Sequence, residues 1–328
     1  MPETVTLTVT DGLAEIVLDA PEKLNALDVD ALHLLRTLVS DATTRAASGE
    51  IRAVLLRGEG RGFCAGRDEA GTDPEHDDAA GYQAVLGPLL TELADLPAPT
   101  FAAVQGACLG VGLGLAIACD VVYLADNAKI GSPFANLGAT LDSGGHAFLL
   151  SRLGRHRTLD LVYSGELIRG PEAVASGLFS RVVPGDELLE TTRGAARKAA
   201  SGPTQAFLES KRLLDRIENG NLGPREALTL ESAAQVRLSH TPDYAEGFRS
   251  FQEKRRPVFT GKASSCPSPP VPPTSSRPAA PRSDATAAPS PPSAPTTSPP
   301  SSSPTCWRSP TSMPAPSTRS ASAPPPAP

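Results

Sequence analysis

The feature that most limits how this chain can fold is the segment FAAVQGACLGVGLG at 101–114, where four glycines fall within nine residues. An apolar run typical of a strand precedes them, and the pattern that follows predicts a short helix over 110–118. Glycine has no Cβ, so two backbones can approach closely here. Free N–H groups at the start of the helix would also face an anion. Taken alone, the segment favours close packing of helix against strand over an anion site.

A dinucleotide-binding loop is a third interpretation of these glycines, and the sequence excludes it. Gly110, Gly112 and Gly114 have the spacing GxGxG, whereas the dinucleotide fingerprint is GxGxxG. No acidic residue ends a strand about 20 residues further along, where the fingerprint places its ribose ligand.

A second small-residue turn lies in FCAGRDE at 63–69, just after a predicted buried strand over 52–57. Gly66 permits close approach of a ligand or of another backbone. By themselves, Arg67 and Asp68 would be a solvated ion pair. Two loops that leave backbone N–H groups free can converge on one carbonyl oxygen and stabilise the negative charge that it gains. Together the two segments predict a site that polarises a thioester.

The composition divides the chain into two parts. Residues 263–328 are rich in Pro, Ser, Ala and Thr and hold 21 of the 34 prolines. Such a segment cannot bury enough apolar surface to offset the entropy of ordering, so we expect 263–328 to be disordered. Residues 1–262 have an ordinary globular mixture of the size of one large domain.

Charge and cysteine usage exclude several classes of protein. The net charge is −6; the tail has four arginines against one aspartate, which leaves −9 on residues 1–262. No basic stripe stands out, so nucleic acid is not an expected partner. None of the five cysteines has CxxC spacing, so no metal is expected, and scattered thiols fit the cytoplasm. We expect no signal peptide and no membrane span.

Hydrophobic periodicity predicts strands and helices in alternation, followed by helices alone. Predicted strands cover 5–9, 14–18, 52–57, 100–104 and 121–125. Predicted helices begin after the cap Asp28, cover 79–96, begin again near Ser143 and at Pro171, and then cover 187–201, 203–218, 224–239 and 242–254. No strand is expected after residue 176. Alternation of this kind favours an α/β layered fold.

The chain resembles the crotonase superfamily, also called the enoyl-CoA hydratase/isomerase family. The resemblance is carried by PEKLNALD at 21–28, RAVLLRGEGRGFCAGRDE at 52–69, PTFAAVQGACLGVGLGLAIACDVVYLAD at 99–126 and FQEKRRPVFTGK at 251–262. It implies a crotonase-like ββα spiral over 1–200 and a C-terminal helical trimerisation region over 201–262. It also implies an acyl-CoA thioester substrate, an enolate intermediate, a homotrimer or dimer of trimers, a role in fatty acid metabolism, and no cofactor besides the CoA of the substrate.

The resemblance assigns roles to particular residues. By position, the backbone N–H groups of Arg67 and Val111 are the two oxyanion donors, and Val111 stands where many members have Gly. Residues at positions that contact CoA in the family are Lys23, Ala26, Ala65, Asp68 and Gly110.

Two positions depart from the hydratase pattern. Hydratases of the family have a Glu three residues past the second donor and another Glu after a Pro; here these places are Gly114 and Phe134. A hydratase must activate water and deliver a proton, so the resemblance does not favour hydration. A hydratase of altered activity, a hydrolase or lyase of the same fold, and a non-catalytic acyl-CoA binder remain alternatives.

Asp142, in LGATLDSGGHAFLL at 137–150, is the candidate acid and base. Its spacing alone favours a helix N-cap. The resemblance favours catalysis, because isomerising members, including the isomerase of ring-epoxidised phenylacetyl-CoA, have an Asp here in a PDxGG segment. One carboxylate suffices to move a proton between two carbons. The expected activity is therefore that of an enoyl-CoA isomerase.

The surroundings of Asp142 are also predicted. Phe134, Leu137 and Leu141 are expected to give its carboxylate an apolar setting. His146 lies four residues further on, on the same helix face if the helix begins at Asp142. For His146 we favour a surface or helix-packing role over contact with substrate.

Overall fold

The structure is a computed structural model that describes residues 4–70, 72, 73 and 75–263. The strands within these ranges are β1 (Val5–Thr10), β2 (Leu13–Leu18), β3 (Ala53–Gly58), β4 (Thr100–Val104), β5 (Ala107–Leu109), β6 (Val121–Ala125), β7 (Lys129–Gly131), β8 (Ile168–Arg169) and β9 (Arg181–Val183). The helices are α1 (Val29–Ala47), α2 (Ala79–Ala94), α3 (Val111–Ile117), α4 (Gly145–Ser164), α5 (Gly170–Ala175), α6 (Leu188–Ala200), α7 (Thr204–Gly220), α8 (Pro224–Leu238) and α9 (Pro242–Gln252). Apart from residue 263, the tail predicted to be disordered lies outside the described residues.

Two sheets are built from strands that alternate along the chain. The large sheet has the order β1-β2-β3-β4-β6-β9, antiparallel only between β1 and β2, and the small sheet has the order β5-β7-β8. The chain passes from the large sheet to the small one and then into a helix, first as β4, β5 and α3 and then as β6, β7 and α4. This ββα repeat confirms the predicted α/β fold class.

Strand β3 is buried on both faces, as parallel strands covered by helices are. Val54 and Leu56 belong to a core that also contains the buried residues of α1, α2 and α3. Ala53 and Leu55 point to the opposite face and pack with Leu188 and its neighbours on α6. The large sheet is therefore covered on both faces around β3. This packing holds in place the ends of β3 and β4, which lead into the glycine-containing segments 63–69 and 106–114. None of the helices in the described residues is long and apolar enough to cross a membrane.

Local signals in the sequence explain the first elements. The β1–β2 hairpin turns at Asp11 and Gly12, which have φ of 51° and 79°, the left-handed pair that a two-residue turn requires. Asp28 caps α1, and its carboxylate accepts a hydrogen bond of 2.8 Å from the N–H of Ala31. The predicted hairpin and the predicted cap are both confirmed.

The prediction that strands end before residue 176 is wrong. Strand β9 pairs in parallel with β6, with Arg181 opposite Tyr123. Strands β5, β7 and β8 were not predicted either. All four have only two or three residues, too few for the alternating pattern on which strand prediction depends. The predicted division at residue 200 coincides with the end of α6 and stays a prediction.

The last described segment is tied to the body of the protein. The buried carboxylate of Asp243 accepts hydrogen bonds from the N–H groups of Thr260 (2.7 Å) and Gly261 (2.8 Å). Arg52, just before β3, donates to the carbonyl of Phe259 at 3.1 Å. These bonds join the end of the family-like sequence to both α9 and the large sheet.

We predict that a chain ending after Lys262 keeps the fold, because every one of these bonds is retained. A chain ending after Arg256 removes the donors and leaves the Asp243 carboxylate buried without them. An unsatisfied buried group costs about 1–3 kcal/mol, and more when it is charged. Thermal unfolding of the two truncated chains measures the difference. Insolubility or a lowered unfolding temperature of the 1–262 chain would show that the tail contributes to the fold.

Candidate functional site

Two turns lie side by side beyond the ends of β3 and β4: the first turn is in segment 63–69, and the second is in segment 106–114. The N–H of Cys64 donates to the carbonyl of Ala107 at 2.9 Å, and the N–H of Leu109 donates to the carbonyl of Cys64 at 3.0 Å. Burial raises the pKa of the Cys64 thiol to about 12, so this thiol stays protonated and is not a nucleophile. The Cys64 side chain is therefore not a candidate for catalysis, and the groups of interest in the turns are the backbone N–H groups.

The residues that follow the two turns keep their N–H groups free. Leu27 pairs with the residues on either side of Arg67. The N–H of Leu27 donates to the carbonyl of Gly66, and the carbonyl of Leu27 accepts from the N–H of Asp68. The N–H of Arg67 itself has no acceptor among the described residues. Val111 begins α3, so its N–H also lacks a partner within the same ranges. These are the two N–H groups to which the resemblance assigns the role of oxyanion donors, and that role stays a prediction.

Glycines allow the two donor turns to touch. Gly66 has a φ of 107°, and a Cβ on it would lie 3.0 Å from the carbonyl oxygen of Leu109 and 4.0 Å from the Cα of Gly110. A Cβ on Gly112 would lie 2.3 Å from the carbonyl oxygen of Cys64. The helix α3 is therefore packed on the first turn, backbone against backbone. The close-packing interpretation of the glycine segment is confirmed, and the anion site stays a prediction.

The side chain of Arg67 fixes the first turn from the outside. Its guanidinium forms a two-bond ion pair with Asp77 and lies 4.7 Å from the ring centroid of Tyr82. The buried Tyr82 hydroxyl donates to the carbonyl of Leu27 at 3.0 Å, and burial raises the pKa of Tyr82. Tyr82, on α2, thus contacts both the backbone of Leu27 and the side chain of Arg67.

Lys23 and Asp68, two of the residues predicted to contact CoA, form an ion pair. The Lys23 ammonium lies 2.9 Å from Asp68 and 3.2 Å from Asp28. Burial disfavours the charge on Lys23, but the hydrogen bonds to the two carboxylates outweigh it and raise the pKa of Lys23. The same bond from Lys23 lowers the pKa of Asp68. Both side chains are therefore charged at neutral pH.

The other residues predicted to contact CoA lie in the same region. The N–H of Ala65 donates to the carbonyl of Leu24 at 2.9 Å, and Ala26 is buried. Gly110 lies between Gly66 and the ring of Phe134. The structure brings all five residues to the edge of the donor turns, and their contact with CoA stays a prediction.

Asp142 lies in the loop before α4, and its carboxylate is held by two hydrogen bonds. The side-chain amide of Gln83, on α2, donates to Oδ2 at 2.8 Å, and the hydroxyl of Ser143 donates to Oδ1 at 2.8 Å. The helix begins at Gly145, its N-cap is Gly144, and no side chain caps it. The helix-cap interpretation of Asp142 is therefore wrong.

The prediction that Leu137 and Leu141 give Asp142 an apolar setting is also wrong. Leu137 is 67% exposed, and Leu141 packs against Gly145, so these residues do not form an apolar pocket around the carboxylate. The half-buried Asp142 instead has the polar partners described above. His146 is exposed, as the favoured surface role predicts, and because α4 begins after Asp142 the two residues do not share a helix face.

Ser143 fills the space beside Gly114. A Cβ on Gly114 would lie 2.4 Å from the Cβ of Ser143 and 3.2 Å from Leu90. At the other position that departs from the hydratase pattern, the ring of Phe134 comes within 3.2 Å of where a Gly110 Cβ would lie. Both places are therefore filled by side chains without a carboxylate.

Sequence reasoning missed Gln83 and Ser143. Gln83 is an exposed residue on a predicted helix, and it lies 59 residues before its partner Asp142. No periodicity or motif indicates such a contact. The glycine at 114 was a usable signal, because an unexplained glycine inside a short helix often marks a close approach, here that of Ser143.

The family model described as Enoyl-CoA hydratase/isomerase matches residues 8–262. The chain is 34% identical over 272 residues to the "1,2-epoxyphenylacetyl-CoA isomerase" of Escherichia coli strain K12, covering 80% of this chain and 100% of the relative. It is 36% identical over 264 residues to a "Probable enoyl-CoA hydratase" of Rhodobacter capsulatus, covering 79% of this chain and 98% of that protein. A crystal structure of an enoyl-CoA hydratase from Bacillus anthracis has a TM-score of 0.72 and 29% identity, covering 79% of this chain and 100% of that one.

We predict that Gly112→Ala destabilises the protein although alanine favours helices. The added methyl meets the carbonyl oxygen of Cys64, and overpacking of this kind costs about 1–3 kcal/mol. Gly194→Ala is the matched control: it lies within α6 with open space around it, and it should stabilise the helix by up to about 1 kcal/mol. Denaturant unfolding of the two variants gives both values. Equal stabilisation by the two would mean that α3 and the first turn are not in close contact.

Proposed function

Because the chain belongs to the enoyl-CoA hydratase/isomerase family, we propose that it shifts the double bond of an enoyl-CoA through an enolate, with Asp142 as proton shuttle. Family membership supports an enzyme that acts on acyl-CoA thioesters. The isomerase named above supports the class of reaction. The choice of isomerisation over hydration depends on the residues of this chain.

The observation that carries the proposal is the position of the Asp142 loop on α3. Ser143 packs beside Gly114, three residues past the donor Val111. The Ser143 hydroxyl oxygen would lie 3.1 Å from a Cβ on Gly114 and donates to Oδ1 of Asp142 at 2.8 Å, so the Asp142 carboxylate lies near the place from which a side chain at position 114 would project. The hydratase pattern has a glutamate on α3, at the place of Gly114. Under this proposal, the carboxylate of that region comes instead from Asp142 in the loop before α4.

The proposed reaction uses one carboxylate and two backbone donors. The thioester oxygen accepts from the N–H groups of Arg67 and Val111, which makes the proton on the α carbon of a 3-enoyl-CoA more acidic. Asp142 removes that proton, and the electron pair delocalises into a dienolate whose charge lies on the thioester oxygen. The protonated Asp142 then returns the same proton to the γ carbon, which gives the 2-enoyl-CoA. No water and no second acid enter the reaction.

Hydration of a 2-enoyl-CoA is the second candidate function. It is favoured by the hydratase names of several relatives, among them the protein of Rhodobacter capsulatus. The residues of this chain disfavour hydration, because Gly114 and Phe134 offer no carboxylate to activate water. A non-catalytic acyl-CoA binder would be distinguished by binding without turnover of either substrate.

Assembly and location belong to the proposal as well. We propose a homotrimer or a dimer of trimers, supported by an apolar groove of about 420 Å³ on the C-terminal helices. Its lining includes Tyr244, Phe248, Phe251 and Phe259, and Phe251 is 82% exposed. A cytoplasmic location stays a prediction from cysteine usage, and a role in fatty acid metabolism and the lack of a cofactor besides substrate CoA stay predictions from the family.

We predict turnover of a 3-enoyl-CoA and little or no hydration of a 2-enoyl-CoA. Isomerisation needs only Asp142, whereas hydration needs groups that this chain lacks at positions 114 and 134. The assay follows the absorbance of the conjugated 2-enoyl thioester, which forms on isomerisation and disappears on hydration. Hydration at a typical enzyme rate of about 10 s⁻¹ would overturn the assignment.

Asp142→Asn should reduce isomerase turnover by roughly 10²–10⁴-fold, the usual contribution of a positioned acid or base. The amide keeps the size of the side chain and still accepts from Gln83, so the unfolding temperature should change little. Affinity for a saturated acyl-CoA should persist, because the oxyanion donors are unchanged. Calorimetry measures the affinity, and the absorbance assay measures the turnover. Full turnover of the variant would mean that another residue moves the proton.

A further inference from the structure

We propose that Gln83 is a positioning residue that holds the Asp142 carboxylate in the orientation needed for proton transfer, an inference that rests on the proposed function. The Gln83 amide donates to Oδ2 of Asp142 at 2.8 Å. Gln83 lies on α2, whereas Asp142 lies in the loop before α4. The bond therefore connects two separate elements of the fold.

Helix α2 also holds the first oxyanion donor. Tyr82, the residue before Gln83, donates to the carbonyl of Leu27, and its ring faces the guanidinium of Arg67 at 4.7 Å. Two consecutive residues of one helix thus contact the Arg67 turn and the Asp142 carboxylate. Through Gln83, the position of the acid is defined relative to the oxyanion donors and not only relative to its own loop.

The bond from Ser143 does not replace that of Gln83. Ser143 is the neighbour of Asp142 in the chain, so its bond lies within the loop and is linked to α3 only through the packing of Ser143 on Gly114. Rotation of a carboxylate about its last torsion is broad and only weakly restrained. A donor on another element restrains that rotation, and an error of about 1 Å in placement can reduce turnover by about 100-fold.

Gln83 leaves the chemistry itself to Asp142. Each carboxylate oxygen has more than one acceptor position. With one position of Oδ2 used by Gln83 and one of Oδ1 used by Ser143, both oxygens can still take the substrate proton. The Gln83 amide exchanges no proton in the reaction. Gln83 is exposed in the free protein, and a bound acyl chain that excludes water would strengthen its bond.

Gln83→Met removes the donor at similar size and exposure. We expect kcat for a 3-enoyl-CoA to fall about 10-fold, the usual effect of losing a hydrogen bond to a charged group, while KM stays the same. Ala84→Met is the matched control, an exposed neighbour on the same helix, and should leave kcat and KM unchanged. Combining Gln83→Met with Asp142→Asn should lower kcat no further than Asp142→Asn alone, because Gln83 acts through Asp142.

The outcomes separate the inference from the proposed function. If Asp142→Asn is impaired but Gln83→Met keeps full kcat, the role of Gln83 is wrong and the proposed function stands. If Gln83→Met lowers kcat equally in the presence and absence of Asp142, Gln83 acts by another route and the inference is overturned. Full turnover of Asp142→Asn overturns the proposed function and, with it, the role of Gln83. A rise in KM alone for Gln83→Met would place Gln83 in substrate binding and likewise overturn the inference.

Discussion

The backbone pairing of Cys64 with strand β5 holds the two donor turns together, and the geometry of the site depends on it. Two hydrogen bonds, to Ala107 and from Leu109, place the first turn against the start of α3. The N–H of Arg67 is left without an acceptor because Leu27 pairs with the residues on either side of it, and the N–H of Val111 because Val111 begins α3, both within the described residues. In the proposed function the donors are backbone groups, so the side chains at these positions are available for other contacts, such as that of Arg67 with Tyr82.

The carboxylate is attached to this frame less directly. Asp142 belongs to a loop, and three contacts locate that loop: Ser143 on Gly114, Ser143 on the carboxylate, and Gln83 from α2. Helix α2 therefore contacts both the Arg67 turn, through Tyr82, and the Asp142 carboxylate, through Gln83. In the proposed function, the sheet and α3 position the oxyanion donors, and α2 positions the proton carrier.

The sequence predicted the parts of the fold and site whose causes are local. The β1–β2 turn, the Asp28 cap and the two glycine turns each depend on residues within a few positions of one another. Strands as short as β8 have no detectable pattern, so the small sheet could not be predicted. The partners of Asp142 were missed for a related reason: Gln83 is remote in sequence, and only packing shows that the expected apolar residue Leu137 is exposed.

The contact of Ser143 with Gly114 has an evolutionary consequence. An acid at position 114 and a side chain at 143 compete for the same volume, so the two cannot coexist while the loop keeps its course. A single mutation that introduces Glu at 114 meets Ser143 before it meets a substrate. Passage between a helix-borne and a loop-borne carboxylate therefore requires changes in a fixed order, with the loop altered first. Because the two positions share one volume, we expect the effects of mutations at 114 and 143 to be non-additive.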